Sequence, residues 1–126
     1  MATIVVVEDN PDSMKLFRAV LRRGGHQVRE FSSGVGLADA LAPTGSLPDL
    51  VLLDIQLPDR DGFAVLTELR GRWSDLRVVA LTANAMDADR IRVRAAGFDG
   101  LITKPIDVAR FLSQVEQAVA GERLDE

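Results

Sequence analysis

The sequence predicts an alternating α/β domain: a doubly wound, five-stranded parallel sheet in the order 2-1-3-4-5, with five helices on its two faces. Three observations carry this. First, Leu50 to Leu53 is a continuous apolar run without alternation, the signature of a parallel strand covered on both faces. Second, Thr3 to Val7 and Arg77 to Leu81 repeat that character, and segments of helical period separate the runs. Third, 126 residues, 47% of them hydrophobic, suit one domain with one ordinary core. Right-handed crossovers and this chain length select the order 2-1-3-4-5, which puts the topological switch point between the first and third strands.

The elements follow in order. Thr3 to Val7 is β-branched throughout and ends at Glu8-Asp9. Asn10 is an N-cap with Pro11 at the first helical position; Met14, Phe17 and Leu21 mark the apolar face, and Arg22-Arg23-Gly24-Gly25 supplies a basic last turn and a glycine stop. His26 reads as a solvated turn residue. Gln27 to Phe31 alternates, as a less buried strand near an edge does. Ser32 or Ser33 is expected to cap a weak helix through Val35, Ala38 and Leu41, ended by the loop 43–48. After the central strand, the turn formers Leu57-Pro58-Asp59-Arg60-Asp61-Gly62 lead to a helix on Phe63, Leu66, Leu69 and Trp73. The fourth strand ends at Thr82-Ala83-Asn84. Met86 to Ala96 is arginine-rich with a poor apolar stripe, predicting a loosely packed helix whose arginines 90, 92 and 94 form a solvated face. Gly97 stops it. Leu101 to Thr103 is a short fifth strand ending at Lys104-Pro105, and Val108, Phe111, Leu112, Val115 and Val119 give the cleanest helical stripe. Residues 1–121 form the domain; 122–126 read as a polar tail, and Gly121 to Glu126 are expected to fray.

Composition narrows the function. A net charge of −4 and a pI near 5.0 oppose nonspecific nucleic-acid binding, which requires a basic surface. The absence of cysteine excludes disulfides, thiolate metal sites and cysteine nucleophiles. The N-terminal apolar run lacks a basic flank and is too short for a signal peptide or a span, so the expected location is the cytoplasm, without a membrane partner.

The predicted order brings Glu8, Asp9 and Asp54 together at the C-terminal edge of the sheet, with Thr82 and Lys104 on the same edge. Clustered carboxylates repel unless a proton or cation sits among them, and an all-oxygen donor set suits Mg²⁺, which usually also takes phosphate oxygens. A lysine ammonium and a threonine hydroxyl aimed at the same point complete the parts for phosphoryl transfer, with Asp54, the central acid, as nucleophile.

At these residues the chain resembles the response-regulator receiver domain of two-component signalling, the CheY-like superfamily. The resemblance rests on Val-Val-Glu8-Asp9-Asn10, Leu-Leu-Asp54-Ile-Gln-Leu-Pro58 with Asp61-Gly62, Ala-Leu-Thr82-Ala83 and Thr103-Lys104-Pro105, in that order and covering nearly the whole chain. Within the family it is similar to DivK-type single-domain regulators and to the receivers of hybrid kinases. The resemblance implies that a histidine kinase or phosphotransfer protein phosphorylates Asp54. It also implies that Glu8, Asp9, Asp54 and the backbone carbonyl of Gln56 hold Mg²⁺, that Thr82, Ala83 and Lys104 contact the phosphoryl oxygens, and that Lys104-Pro105 is cis. Such a domain is a switch for protein partners rather than an enzyme, although it assists its own phosphorylation and dephosphorylation. One departure stands out: the family usually carries an aromatic residue three positions before the lysine, and Leu101 occupies that switch position.

Two other readings compete. A flavodoxin-like FMN protein needs a neutral or basic phosphate loop after the first strand, where this chain has Glu8-Asp9-Asn10-Pro11; an aspartyl phosphatase usually needs a second acid where Gln56 stands. A receiver excised from a hybrid histidine kinase would look the same as a whole single-domain regulator, and Met1 with the polar tail favours the latter.

Overall fold

A computed structural model describes residues 2–42, 47–57, 61–83, 86–122 and 124–125. The motif residue Pro58, the loop residues 43–46, 59 and 60, Asn84 at the end of the fourth strand, and the tail residues 123 and 126 lie outside the described residues. The order is β1 (Thr3–Val7), α1 (Pro11–Arg23), β2 (Gln27–Phe31), α2 (Leu37–Leu41), β3 (Leu50–Asp54), α3 (Gly62–Arg72), β4 (Val78–Thr82), α4 (Asp87–Ala96), β5 (Gly100–Thr103), α5 (Val108–Val119) and β6 (Leu124–Asp125). The main strands pair in parallel in the order β2-β1-β3-β4-β5, as the sequence predicts. β6 adds a two-residue parallel edge beside β5, so part of the segment expected to fray is instead paired with Gly100 and Leu101.

Successive side chains on a strand point to opposite faces, and the two cores follow from that alternation. Val5, Val7, Val51, Leu53, Val78, Ala80 and Leu101 pack with α2, α3 and Val93 of α4. Ile4, Val6, Leu50, Leu52, Val79, Leu81 and Ile102 pack with α1 and α5, where Phe17 and Phe111 stack at 5.5 Å. β3 and β4 are buried along their length, whereas β2 is half-exposed at its edge.

Helix ends are set locally. The Asn10 side chain accepts hydrogen bonds from the backbone N–H groups of Asp12 and Ser13, and Pro11 follows at the first helical position. Asp61 and Asp107 cap α3 and α5 in the same manner. Gly97 ends α4 at φ 102°, a left-handed conformation that favours glycine. Gly62 is required for another reason: a Cβ there would lie 2.5 Å from the Ile55 Cα and 3.0 Å from the Asp54 carbonyl, so α3 can start against the end of β3 only without a side chain.

Four expectations need correction. His26 is buried rather than solvated: its Nδ1 accepts the backbone N–H of Ala2 at 3.1 Å, and Nε2 lies 3.4 Å from Glu116. A turn residue preceding an edge strand has become a plug, because α5 folds over that end of the sheet. The weak helix starts later than predicted, at Leu37 behind Gly36; Ser33 instead accepts from the Val35 N–H in the preceding turn, and Val35 is exposed. Val108, placed on the apolar stripe of α5, is exposed, and Gln114 is buried in its stead. Trp73 lies just past α3, as its C-cap, half-buried against the core.

Candidate functional site

Strand register assembles the site. Val7 pairs with Leu53, Asp54 with Leu81, and Thr82 with Thr103, so Glu8, Asp54, Thr82 and Lys104 emerge together at the C-terminal edge of four adjacent strands. Alternation then divides them. Glu8, Asp54 and Lys104 continue the series Ile4-Val6, Leu50-Leu52 and Ile102, whose side chains face α1 and α5, whereas Thr82 continues Val78-Ala80, whose side chains face α3 and α4. The acid cluster and the threonine therefore address the edge from opposite faces of the sheet.

On the first face, carboxylate oxygens of Glu8, Asp9 and Asp54 come within 4.8 Å of one another; Glu8 and Asp54 are buried and Asp9 is exposed. The Lys104 ammonium donates to Glu8 Oε1 at 2.9 Å and to Asp54 Oδ2 at 2.7 Å. The second Asp54 oxygen accepts the Gln56 N–H at 2.8 Å, and Glu8 Oε2 accepts the Asn10 N–H at 3.1 Å. Asp54 is thus held by a cation on one oxygen and a backbone donor on the other. The Lys104-Pro105 peptide bond that carries this lysine is cis.

The electrostatics follow from burial and pairing. Burial raises the Glu8 carboxyl above its ordinary value; the Lys104 hydrogen bond and the Asn10 N–H pull it back only in part, and the Asp54 charge pushes it further up. Burial alone would lower Lys104, but its hydrogen bonds to Asp54 and Glu8 outweigh that and raise it, so the ammonium stays charged. One lysine against three carboxylates leaves the cluster short of positive charge. An all-oxygen donor set, buried at Glu8 and Asp54 and open to solvent through Asp9, fits a small hard cation such as Mg²⁺.

On the opposite face, Thr82 is buried and lines a cleft of about 290 Å³ together with Ile55, Gln56, Asp61, Phe63, Asp89 and Arg92. Phe63 packs edge-on against Phe98 at 5.7 Å, and the Arg92 guanidinium lies 4.0 Å from the centre of its ring. Sequence reasoning gave Phe63 to the core and Arg92 to solvent. Nothing in their spacing links them, because the contact joins α3 and α4 across the end of β4. Ala83 is exposed beside Thr82, and Leu101 is buried one strand away, opposite Ala80.

Comparison with known proteins agrees with this geometry. The chain is 38% identical over 116 residues to the polar-differentiation response regulator DivK of Brucella ovis, covering 90% of this chain and 93% of that protein. It is 36% identical over 119 residues to the transcriptional regulatory protein KdpE of Mycobacterium tuberculosis, covering 94% of this chain but spanning only about half (51%) of that protein's length. A crystal structure of a LuxR-family two-component response regulator from Aurantimonas superposes with a TM-score of 0.86 at 27% identity, covering 98% of this chain and 89% of that one. Residues 4–116 match the response regulator receiver domain, and the chain belongs to that family.

Proposed function

We propose that this receiver domain accepts a phosphoryl group on Asp54 and passes the change in charge to protein partners. The observation that carries the reading is the Asp54 carboxylate held between the Gln56 N–H and the Lys104 ammonium. That arrangement fixes the nucleophile and keeps a cation beside the oxygens of an incoming phosphoryl group. One Asp54 oxygen attacks phosphorus as the bond to the donor's histidine nitrogen breaks, and the departing imidazole takes a proton from solvent. Lys104, Thr82 and the Ala83 backbone N–H then hold the phosphoryl oxygens. Glu8, Asp9, Asp54 and the Gln56 carbonyl would hold Mg²⁺, which when bound would supply charge neutralisation at the transferring group.

The donor is a histidine kinase or a phosphotransfer protein, and the receiving partner is a protein; a net charge of −4 disfavours nucleic acid as the ligand. The phosphoacceptor unit acts in the cytoplasm and takes in β6 beyond residue 121, and the domain assists its own dephosphorylation. Near-full coverage of DivK supports a single-domain regulator, and half coverage of KdpE supports the alternative of a receiver within a longer protein. Among the described residues, no helix is long and apolar enough to cross a membrane.

Incubation with acetyl phosphate and Mg²⁺ tests the reading by intact mass. One phosphoryl group should appear on the wild type and none on Asp54→Asn; equal labelling of both would sink the assignment.

A further inference from the structure

We infer that Arg92, held on the face of Phe63, is a further positioning residue of the phosphoryl site: it follows the charge on Asp54 and ties α4 to it. The inference deepens the function proposed above and rests on it. Thr82 and Arg92 line the same cleft, on the α3/α4 face of the sheet. The cleft reaches the phosphoryl site because Gln56, whose N–H holds Asp54, and Ile55 also line it.

Charge balance sets the direction of movement. In the unphosphorylated state the guanidinium shares the cleft with the carboxylates of Asp61 and Asp89 and rests 4.0 Å from the Phe63 ring centre, a contact of modest strength at an exposed position. Phosphorylation adds roughly one to two negative charges and several strong acceptor oxygens on Asp54, next to the Ile55–Gln56 end of the cleft. A charge-assisted hydrogen bond from a guanidinium to phosphate is stronger than a cation–π contact in water, so Arg92 leaves the ring for the phosphoryl edge, directly or through one water. Arg92 is carried by α4, where Val93 is the only buried side chain among the described residues, so this helix can follow it at little cost. With Leu101 small and already buried, Phe63 and Arg92 provide an aromatic and a cationic element at the point where Thr82 faces α4.

Wild type, Arg92→Ala, Arg92→Lys, Phe63→Leu and, as a charge control on the far edge, Arg23→Ala are phosphorylated with acetyl phosphate and Mg²⁺. The donor is removed and the phosphorylated fraction followed by intact mass; beryllofluoride affinity and amide shifts are measured alongside. Arg92→Ala should shorten the phosphoryl lifetime and weaken beryllofluoride binding by roughly three- to tenfold, with smaller amide shifts in α4. Arg92→Lys should recover part of the affinity, and Arg23→Ala should match wild type. Phe63→Leu, which keeps the cation but loses its resting platform, should bind beryllofluoride at least as tightly as wild type. Lifetimes and affinities for Arg92→Ala within about 1.5-fold of wild type, with α4 shifts unchanged, would overturn the inference. Failure of every protein, wild type included, to take up phosphoryl would instead overturn the proposed function.

Discussion

Lys104 balances the acid cluster at the level of single residues. Its two short bonds, to Asp54 and Glu8, place one positive charge between buried carboxylates that would otherwise face each other. Replacing it with Met leaves those carboxylates unpaired and should cost about 3 kcal/mol of stability in the absence of Mg²⁺, measured by urea unfolding, and less at saturating Mg²⁺. Glu8 behaves in the opposite sense. Its carboxyl is raised above its ordinary value chiefly by burial, so the folded protein binds that proton more tightly than the unfolded chain does. The associated stability is present at acid pH and is lost as pH rises through the raised value. Glu8→Gln should therefore melt a few degrees above wild type at neutral pH without metal. The difference should vanish well below the ordinary glutamate value of 4.5, where Glu8 is protonated in both states; a lower melting temperature for Glu8→Gln at neutral pH would contradict the burial argument.

Among elements, the contrast between the two ends of α4 matters most. Its N-terminal end has no side-chain cap and exposes Met86 and Ile91, whereas its C-terminal end is clamped. Arg70, at the end of α3, donates to the carbonyls of Leu76 and Gly97 and to Asp99 Oδ2 at 2.8 Å. The same Asp99 oxygen accepts the Val78 N–H at 2.8 Å, and Arg77 reaches from the start of β4 to the Ala118 and Glu122 carbonyls behind α5. The helix is thus uncapped at the end near Thr82 and clamped at the other. Hydrogen exchange should be fastest in the first turn of α4, and Asp99→Ala should extend it through the helix while costing about 1–3 kcal/mol. Gly62 provides a second element-scale test. Gly62→Ala forces α3 off the Ile55 backbone and should lower both stability and the rate of phosphorylation, because the displaced segment carries the Gln56 N–H that holds Asp54.

At the scale of the whole molecule, the sheet behaves as a plate with one chemically active edge. The cores on its two faces fix the strand register, and the register fixes the spacing of the site. Any ligand specific to the native edge therefore stabilises the entire fold by mass action. At ten times its dissociation constant, Mg²⁺ should add about 1.4 kcal/mol and raise the melting temperature by about 3–6 °C. Asp9→Ala should abolish most of that rise while leaving the metal-free melting temperature nearly unchanged, since Asp9 is exposed and removing it breaks no buried contact.

The sequence by itself determined the parallel sheet, its strand order and the acids at its edge. Unbroken apolar runs such as Leu50 to Leu53 admit no other burial, and caps such as Asn10 and Asp61 act over two or three residues. The weak packing of α4 was legible for the same reason, since an arginine-rich stretch with one good apolar position cannot bury a face. Tertiary structure decided what depends on contacts between distant segments. His26 became buried because α5 covers it, Val108 became exposed in the first turn of α5, and residues 124–125 became a strand because the edge of β5 was open to them. Tertiary structure also put Thr82 in the cleft under α3 and α4 and set Arg92 on Phe63. Side-chain parity can be counted along one strand, but which helix lies over which face is settled only when the two cores pack.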